Sequence, residues 1–425
     1  MKKLFFLIAI VYTLGSFGQK TYLHCGNLMD VQTGNVLSQK TIVISENKIM
    51  EIQNGYVSGT AEDKIIDLKD KYVLPGFIDM HVHIESESSP KTYINRFTLN
   101  DADVAFQSSV YAKKTLMAGF TTVRDLGGTG VNIALRNAIN KGLIEGPRIY
   151  TAGKSIATTG GHADPTNGRR KELMGDPGPS DGVINSPEDG KKAVRQRYKE
   201  GSDVIKITAT GGVLSVAKNG KNPQFTIEEI KAITEIANDY GMLTAAHAHG
   251  DEGMQRAIKG GIKTIEHGSY MSEQTMQLMK EYNAYLVPTI TAGKQVVEKA
   301  KIPGFFPAVV AQKALEIGPL IQNTFAKAYK TGVPIAFGTD AGVFPHGLNA
   351  KEFGYMVEAG MPVVEALQSA TTTNAELLGM GDELGQLKAG FYADIIAVEE
   401  NPVKNVQTLE KVVFVMKDGV VYSNN

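Results

Sequence analysis

His81 and His83 stand two residues apart in "VLPGFIDMHVHIE", residues 73–85. The run is apolar enough to be a buried strand, and on a strand residues i and i+2 share a face. Two imidazoles on one side of a buried strand are costly unless something uses them. The same punctuation recurs along the chain. "DVIKITATGG" carries Lys206 among apolar neighbours, "LTAAHAHG" ends with His247 and His249, "TIEHG" ends with His267, and "IAFGTDAG" ends with Asp340. Six of the eight histidines fall on or just after candidate strands, the sixth being His162 in "TTGGHAD".

Neutral imidazole is the commonest metal ligand among side chains. Several imidazoles with a carboxylate make a site for a divalent transition metal, and zinc fits that donor set best. A lone histidine would read as a hydrogen-bonded core residue, but a set at five strand ends does not. Lys206 adds to the pattern. A buried lysine loses its proton readily, and the neutral amine can take up carbon dioxide as an anionic carbamate able to bridge two cations. The other reading of Lys206 is an ordinary ion pair, for instance with Asp340.

Eight candidate strands would position these groups: 77–84, 121–126, 148–152, 204–209, 243–247, 264–267, 284–289 and 335–339. Helical patterns lie between them. In "TIEEIKAITEIANDYG" the isoleucines keep a three-to-four spacing, with Thr226 and Glu229 as a capping box and Gly241 as the stop. "MPVVEALQSATTTNAELLG" reads as another helix. Such alternation predicts an α/β fold, a (β/α)8 TIM barrel whose chemistry sits at the C-terminal ends of the strands. An open doubly wound sheet is disfavoured, since no G-x-G-x-x-G opens a helix after an early strand. The glycine-rich stretch 158–190 is long enough to be a lid or binding loop. It holds Arg169 and Arg170, a pair that could grip a substrate carboxylate by forked hydrogen bonds. Arg124, beside Asp125, reads as half of an ion pair within the barrel.

Both ends of the chain are β-rich, and Asp418-Gly419 reads as a hairpin turn. Chain ends often lie close together. Residues 19–72 and 384–425 are therefore expected to form one composite small β-sandwich domain beside a barrel of residues 73–383. Residues 1–18 have a basic start, an apolar stretch and small residues before Gln19, the layout of a signal peptide. That predicts a secreted or periplasmic protein. The stretch is too short to span a bilayer, and no later segment is suited to it. Cys25 is the only cysteine, so no intrachain disulfide can form. A formal net charge of −1 with 21% charged residues gives no reason to expect a nucleic-acid partner or an anionic membrane surface.

"PGFIDMHVH", "AGFTTVRDLGG", "TGGH", "IKITATGGV", "AAHAHG", "IEHG" and "GTDAG" follow one another as they do in the amidohydrolase superfamily. The chain most resembles its imidazolonepropionase-like and Xaa-Pro dipeptidase (prolidase-like) branch, and "LGQLKAGFYADIIAV" extends the resemblance over nearly the whole mature chain. The resemblance implies two divalent metal ions, zinc above all. His81, His83 and Asp340 would hold one, His247 and His267 the other, and carboxylated Lys206 would bridge them. His249 and His162 would contact substrate, His162 polarising the carbonyl.

The implied function is a secreted binuclear zinc amidohydrolase acting on a small amide such as a dipeptide or N-acyl amino acid. A hydroxide shared by the metals would attack the carbonyl, with Asp340 as general base and then general acid. Lys206 argues against deaminases and true imidazolonepropionases, which use one metal. Two other functions stay open: hydrolysis of a cyclic amide, lactone or other non-peptide C–N bond, and metal binding without catalysis. Substrate side-chain preference and assembly into a homo-oligomer are not legible.

Overall fold

The computed structural model describes residues 19–424. The expected signal peptide, 1–18, lies outside them. The chain enters through four strands, β1 (Lys20–Met29), β2 (Val36–Ser45), β3 (Lys48–Asn54) and β4 (Lys64–Pro75). β1 lies between an antiparallel β2 and a parallel β4. Glu46 and Asn47 turn the hairpin between β2 and β3, with Glu46 at φ 53°.

The barrel follows. Its strands are β5 (Phe77–Val82), β6 (Phe120–Asp125) and β7 (Arg148–Thr151), then, past a short ribbon of β8 (Ala157–Thr158) and β9 (Val183–Ile184), β10 (Val204–Thr208), β11 (Leu243–Ala248), β12 (Thr264–His267) and β13 (Tyr285–Val287). β5 to β7 pair in parallel, as do β10 to β13. Single parallel bridges join these arcs: Ile156 to Ile207 on one side, Leu286 to Ile335 and Val82 to Ala341 on the other. Backbone bonds from Met80 N to Phe337 O (3.0 Å) and from Asp340 N to His81 O (2.7 Å) complete the circuit. The expected eighth strand is thus an extended segment tied at points rather than a regular ladder. Its pleat is interrupted at Asp340, where φ is 60°.

Of the two helical patterns read from the sequence, the first is kept whole and the second is not. Ile227–Asp239 has the capping box of Thr226 and Glu229, and it buries Ile230, Ile233 and Ile236. Each of those side chains contributes about 1.5–3 kcal/mol of burial. The second pattern breaks into Val363–Ser369 and Thr372–Leu377. The break is used: Ala370 O, freed from the helix, accepts a 2.7 Å bond from Ile78 N of β5.

The chain ends in β14 (Ile395–Val398), β15 (Phe414–Lys417) and β16 (Val420–Asn424). These join the first four strands in one seven-stranded sheet, in the order β16-β15-β14-β4-β1-β2-β3. Asp418 and Gly419, both at positive φ, turn the last hairpin. The sheet contributes to one apolar core, to which Leu23, Ile42 and Ile66 come from the first strands and Ile395 and Phe414 from the last. Cys25 lies buried within that core. Among the described residues no helix is long and apolar enough to cross a membrane.

Candidate active site

β5 and the eighth segment build one side of the barrel mouth. His81 and His83 both point their Nε2 atoms at Asp340, each 3.5 Å from its Oδ1. Their other ring nitrogens are held from behind. His81 Nδ1 lies 2.8 Å from Glu266 Oε2, and His83 Nδ1 lies 2.7 Å from the carbonyl of Gly127. Glu266 is itself gripped by Arg124, at 2.9 Å, and by the Thr264 hydroxyl, at 2.6 Å. Arg124 forms the expected ion pair within the barrel, and its partner is Glu266 across the interior; it also donates to the carbonyl of Met80. Asp125 instead accepts from Ile84 N, Asn132 and Thr151. Asp79 ties β5 to the eighth segment through Thr339 and Asn349.

The neighbouring strands supply the other side. Lys206 comes from β10, His247 from the end of β11 with His249 just beyond it, and His267 from the last residue of β12. Each imidazole has one nitrogen anchored: His247 Nε2 to Gly211 O (3.0 Å), His249 Nδ1 to Ser269 Oγ (2.7 Å) and His267 Nδ1 to Thr289 Oγ1 (2.7 Å). Such contacts fix which nitrogen faces inward. His267 and Asp340 both sit in left-handed backbone, at φ 74° and 60°. Non-glycine residues there are strained, and such strain collects at functional sites.

The electrostatics follow from burial. Loss of solvent, reinforced by neighbouring cationic groups, holds His81, His162, His247 and His267 well below the ordinary imidazole range, and takes His249 down to about 3. All are thus neutral donors at physiological pH. Burial also pushes Lys206 down to about 8, against the pull of Glu266 and Asp340. It pushes Asp340 up to about 8, against the pull of Lys206.

The residues present fit a divalent cation. His81 Nε2 and Asp340 Oδ1 are both buried without a hydrogen-bond partner, which is expensive unless a cation satisfies them. Ligand atoms of His81, His267 and Asp340 lie within 4.8 Å of one another, as do those of His247, His249 and His267. His249 therefore stands among potential ligands as well as at the cavity wall.

Above this cluster lies a cavity of about 270 Å³, lined on one side by His162, Asn167 and Ser215 and on another by apolar Val296, Phe306 and Ile321. His162 stacks on His247, with ring centroids 4.3 Å apart, and its Nδ1 is buried and unpartnered. The arginine pair is placed differently from expectation. Arg170 is exposed and bonded to Glu172 at 2.8 Å. Arg169 lies over the Phe97 ring, 5.0 Å from its centroid, and donates to Met174 Sδ. Neither lines the cavity; the guanidinium that does is Arg96, with Tyr93 from the same short helix, Thr92–Thr98. The reason is local. Arg170 caps a four-residue helix, Lys171–Met174, and pairs within it.

Arg96 and Glu266 escaped the sequence reading. Glu266 carried a signal, standing next to His267 in a strand otherwise apolar or small. Arg96 carried none, because the helix that holds it shows no buried face.

An α/β barrel with imidazoles, a lysine and a carboxylate gathered at the C-terminal mouth is the architecture of a barrel hydrolase. The chain matches the amidohydrolase family over residues 72–423 and belongs to that family. It is 32% identical over 418 residues to ochratoxinase from Aspergillus niger, covering 92% of this chain and 84% of the ochratoxinase. Among solved structures it superposes on a Xaa-Pro dipeptidase with bound methionine in the active site, with a TM-score of 0.92 and 52% identity over 96% of this chain and 100% of that one. A prolidase complexed with N-methylphosphonate-L-proline matches with a TM-score of 0.88 and 30% identity, again over 96% and 100%. The chain is a hydrolase of carbon–nitrogen bonds.

Proposed function

We propose a metal-dependent amidohydrolase that cleaves the amide of a small substrate bearing a free carboxylate, a dipeptide or an N-acyl amino acid. The observation that carries this is the pair of buried, unpartnered atoms, His81 Nε2 and Asp340 Oδ1, 3.5 Å apart at the floor of the cavity. His81, His83 and Asp340 would hold one divalent ion and His247 and His267 a second, zinc suiting these donors best. Lys206, with a pKa near 8, would stand between them as a carbamate. When bound, such ions supply Lewis acidity and lower the pKa of a water to about 7.

The chain's own groups do the rest. The Asp340 carboxylate takes the proton of the attacking water and returns it to the leaving nitrogen. His162, neutral and unpartnered at Nδ1, donates to the developing oxyanion. Arg96 takes the part expected of Arg169 and Arg170 and pairs with the substrate carboxylate at the cavity mouth. The similarity to a Xaa-Pro dipeptidase and to a prolidase supports a peptide-like substrate. We also propose that residues 1–18 direct export, so that the mature chain begins at Gln19; N-terminal sequencing of exported protein that retains Met1 would refute this.

The test is metal analysis with a panel of dipeptides and N-acyl amino acids, each against its amidated form. Two zinc per chain and turnover of the free acids, weakened by Arg96→Met chiefly in KM, is the expected result. Metal without turnover of any amide would overturn the reading.

A further inference from the structure

One lysine outside the cavity holds an entire loop. Residues 211–222 follow β10 and run across the barrel mouth without regular secondary structure, apart from a single bridge of Thr210 to Pro223 beside them. Lys313, on helix Ala308–Ile317, is 5% exposed and donates from Nζ to three of the loop's carbonyls: Gly212 O (2.7 Å), Ser215 O (2.7 Å) and Ala217 O (2.8 Å). All three ammonium protons are thereby used. Without them, Ser215 O and Ala217 O would lose this donor and Gly212 O would keep only the Ser215 hydroxyl, at 3.4 Å.

What this loop touches gives the tether its meaning. Gly211 O anchors His247 Nε2. Gly212 packs so closely against His162 that a Cβ there would overlap Cε1, Nδ1 and Nε2 of the ring. Leu214 O accepts from Tyr93 at 2.9 Å, and Gln224, just past the loop, accepts from His162 N at 2.8 Å. Val213, Leu214 and Ser215 line the cavity, whereas Lys313 does not.

We infer that Lys313 is a positioning residue: its ammonium clamps the loop of residues 211–217 onto the His162 ring and so sets that ring against the substrate carbonyl. This rests on the role proposed for His162. Lys313 never meets substrate, so its loss acts on the rate through His162. A displaced donor loses catalytic power steeply, about 10²-fold for a 1 Å misplacement.

A double-mutant cycle on the metal-loaded enzyme tests this. Lys313→Met is expected to lower kcat by about 10- to 100-fold with little change in KM. In a His162→Ala background the same substitution is expected to cost less than about 3-fold, because the ring it positions is gone. Amide hydrogen exchange, which needs no substrate, is expected to rise in residues 211–217 of Lys313→Met. Equal losses in both backgrounds, or unchanged exchange in the loop, would overturn the clamp. If His162→Ala alone leaves kcat unchanged, the role given to His162 fails, and loop exchange then decides the tether by itself. Should Lys313→Met not fold, Gly212→Ala replaces it: it pushes the ring from the loop side, and a penalty that persists in His162→Ala counts against the inference.

Discussion

The barrel mouth and the terminal sheet each contain a strand sealed from solvent, yet their interiors are filled in opposite ways. Every residue of β5 is buried, and so is every residue of β14. The interior of the terminal sheet is aliphatic and aromatic, with Cys25 among Leu23, Ile42, Ile395 and Phe414. The mouth buries imidazoles, a lysine and carboxylates, with His81 Nε2 and Asp340 Oδ1 left without partners. One region is packed for cohesion; the other keeps polar atoms short of contacts that a ligand can supply. Damage to the first should therefore appear as lost stability, and damage to the second as lost turnover.

The largest effect that would sharpen this contrast is at Asp340. Asp340→Asn is expected to lower kcat by about 10³- to 10⁴-fold while the thermal unfolding midpoint stays near that of the parent. Near-normal turnover with metal bound would break the contrast at its strongest point. Leu23→Ala should do the reverse, losing about 2–5 kcal/mol in urea unfolding with kcat per folded molecule unchanged. Glu266→Gln lies between the regions in kind, since it supports His81 from behind. Competition with a chelator should show metal affinity reduced by about 10- to 100-fold.

The smallest effect is at Cys25, where Cys25→Ala should cost about 1 kcal/mol. Burial raises its thiol to about 12, so thiolate is scarce until pH approaches that value. Native protein should then resist iodoacetamide at pH 8, while unfolded protein reacts. Rapid labelling of the native chain would show this core to be less tightly closed than its packing implies.

How much of this was legible in the chain depends on distance along it. His81 and His83 declared themselves because a strand's period of two is local, and so did Thr226 with Glu229, whose capping box closes within four residues. Lys206, His247, His267 and Asp340 were legible as intrusions into apolar runs. Contacts across the barrel were not. Arg124 could be seen to need a partner, but the nearest carboxylate in sequence, Asp125, was taken by Ile84, Asn132 and Thr151, while Glu266 lay across the interior. Arg169 and Arg170 misled for a related reason. Their spacing suggested a clamp, but Arg170 was turned by a helix of four residues, too short to leave a periodic pattern. Lys313 shares the buried face of its helix with Val310, Ala314 and Ile317, and the loop carbonyls it serves carry no side-chain signature.

The seven-stranded sheet has a consequence for synthesis. β4 sits between β1 and β14, so its far edge finds a partner only after the barrel has been made. Until the last residues are released, a nascent chain displays an open, apolar strand edge of the kind that recruits other chains. A truncation or stalled ribosome ahead of β14 should therefore yield aggregates rather than a shortened working enzyme, although every residue named at the active site would already have been translated.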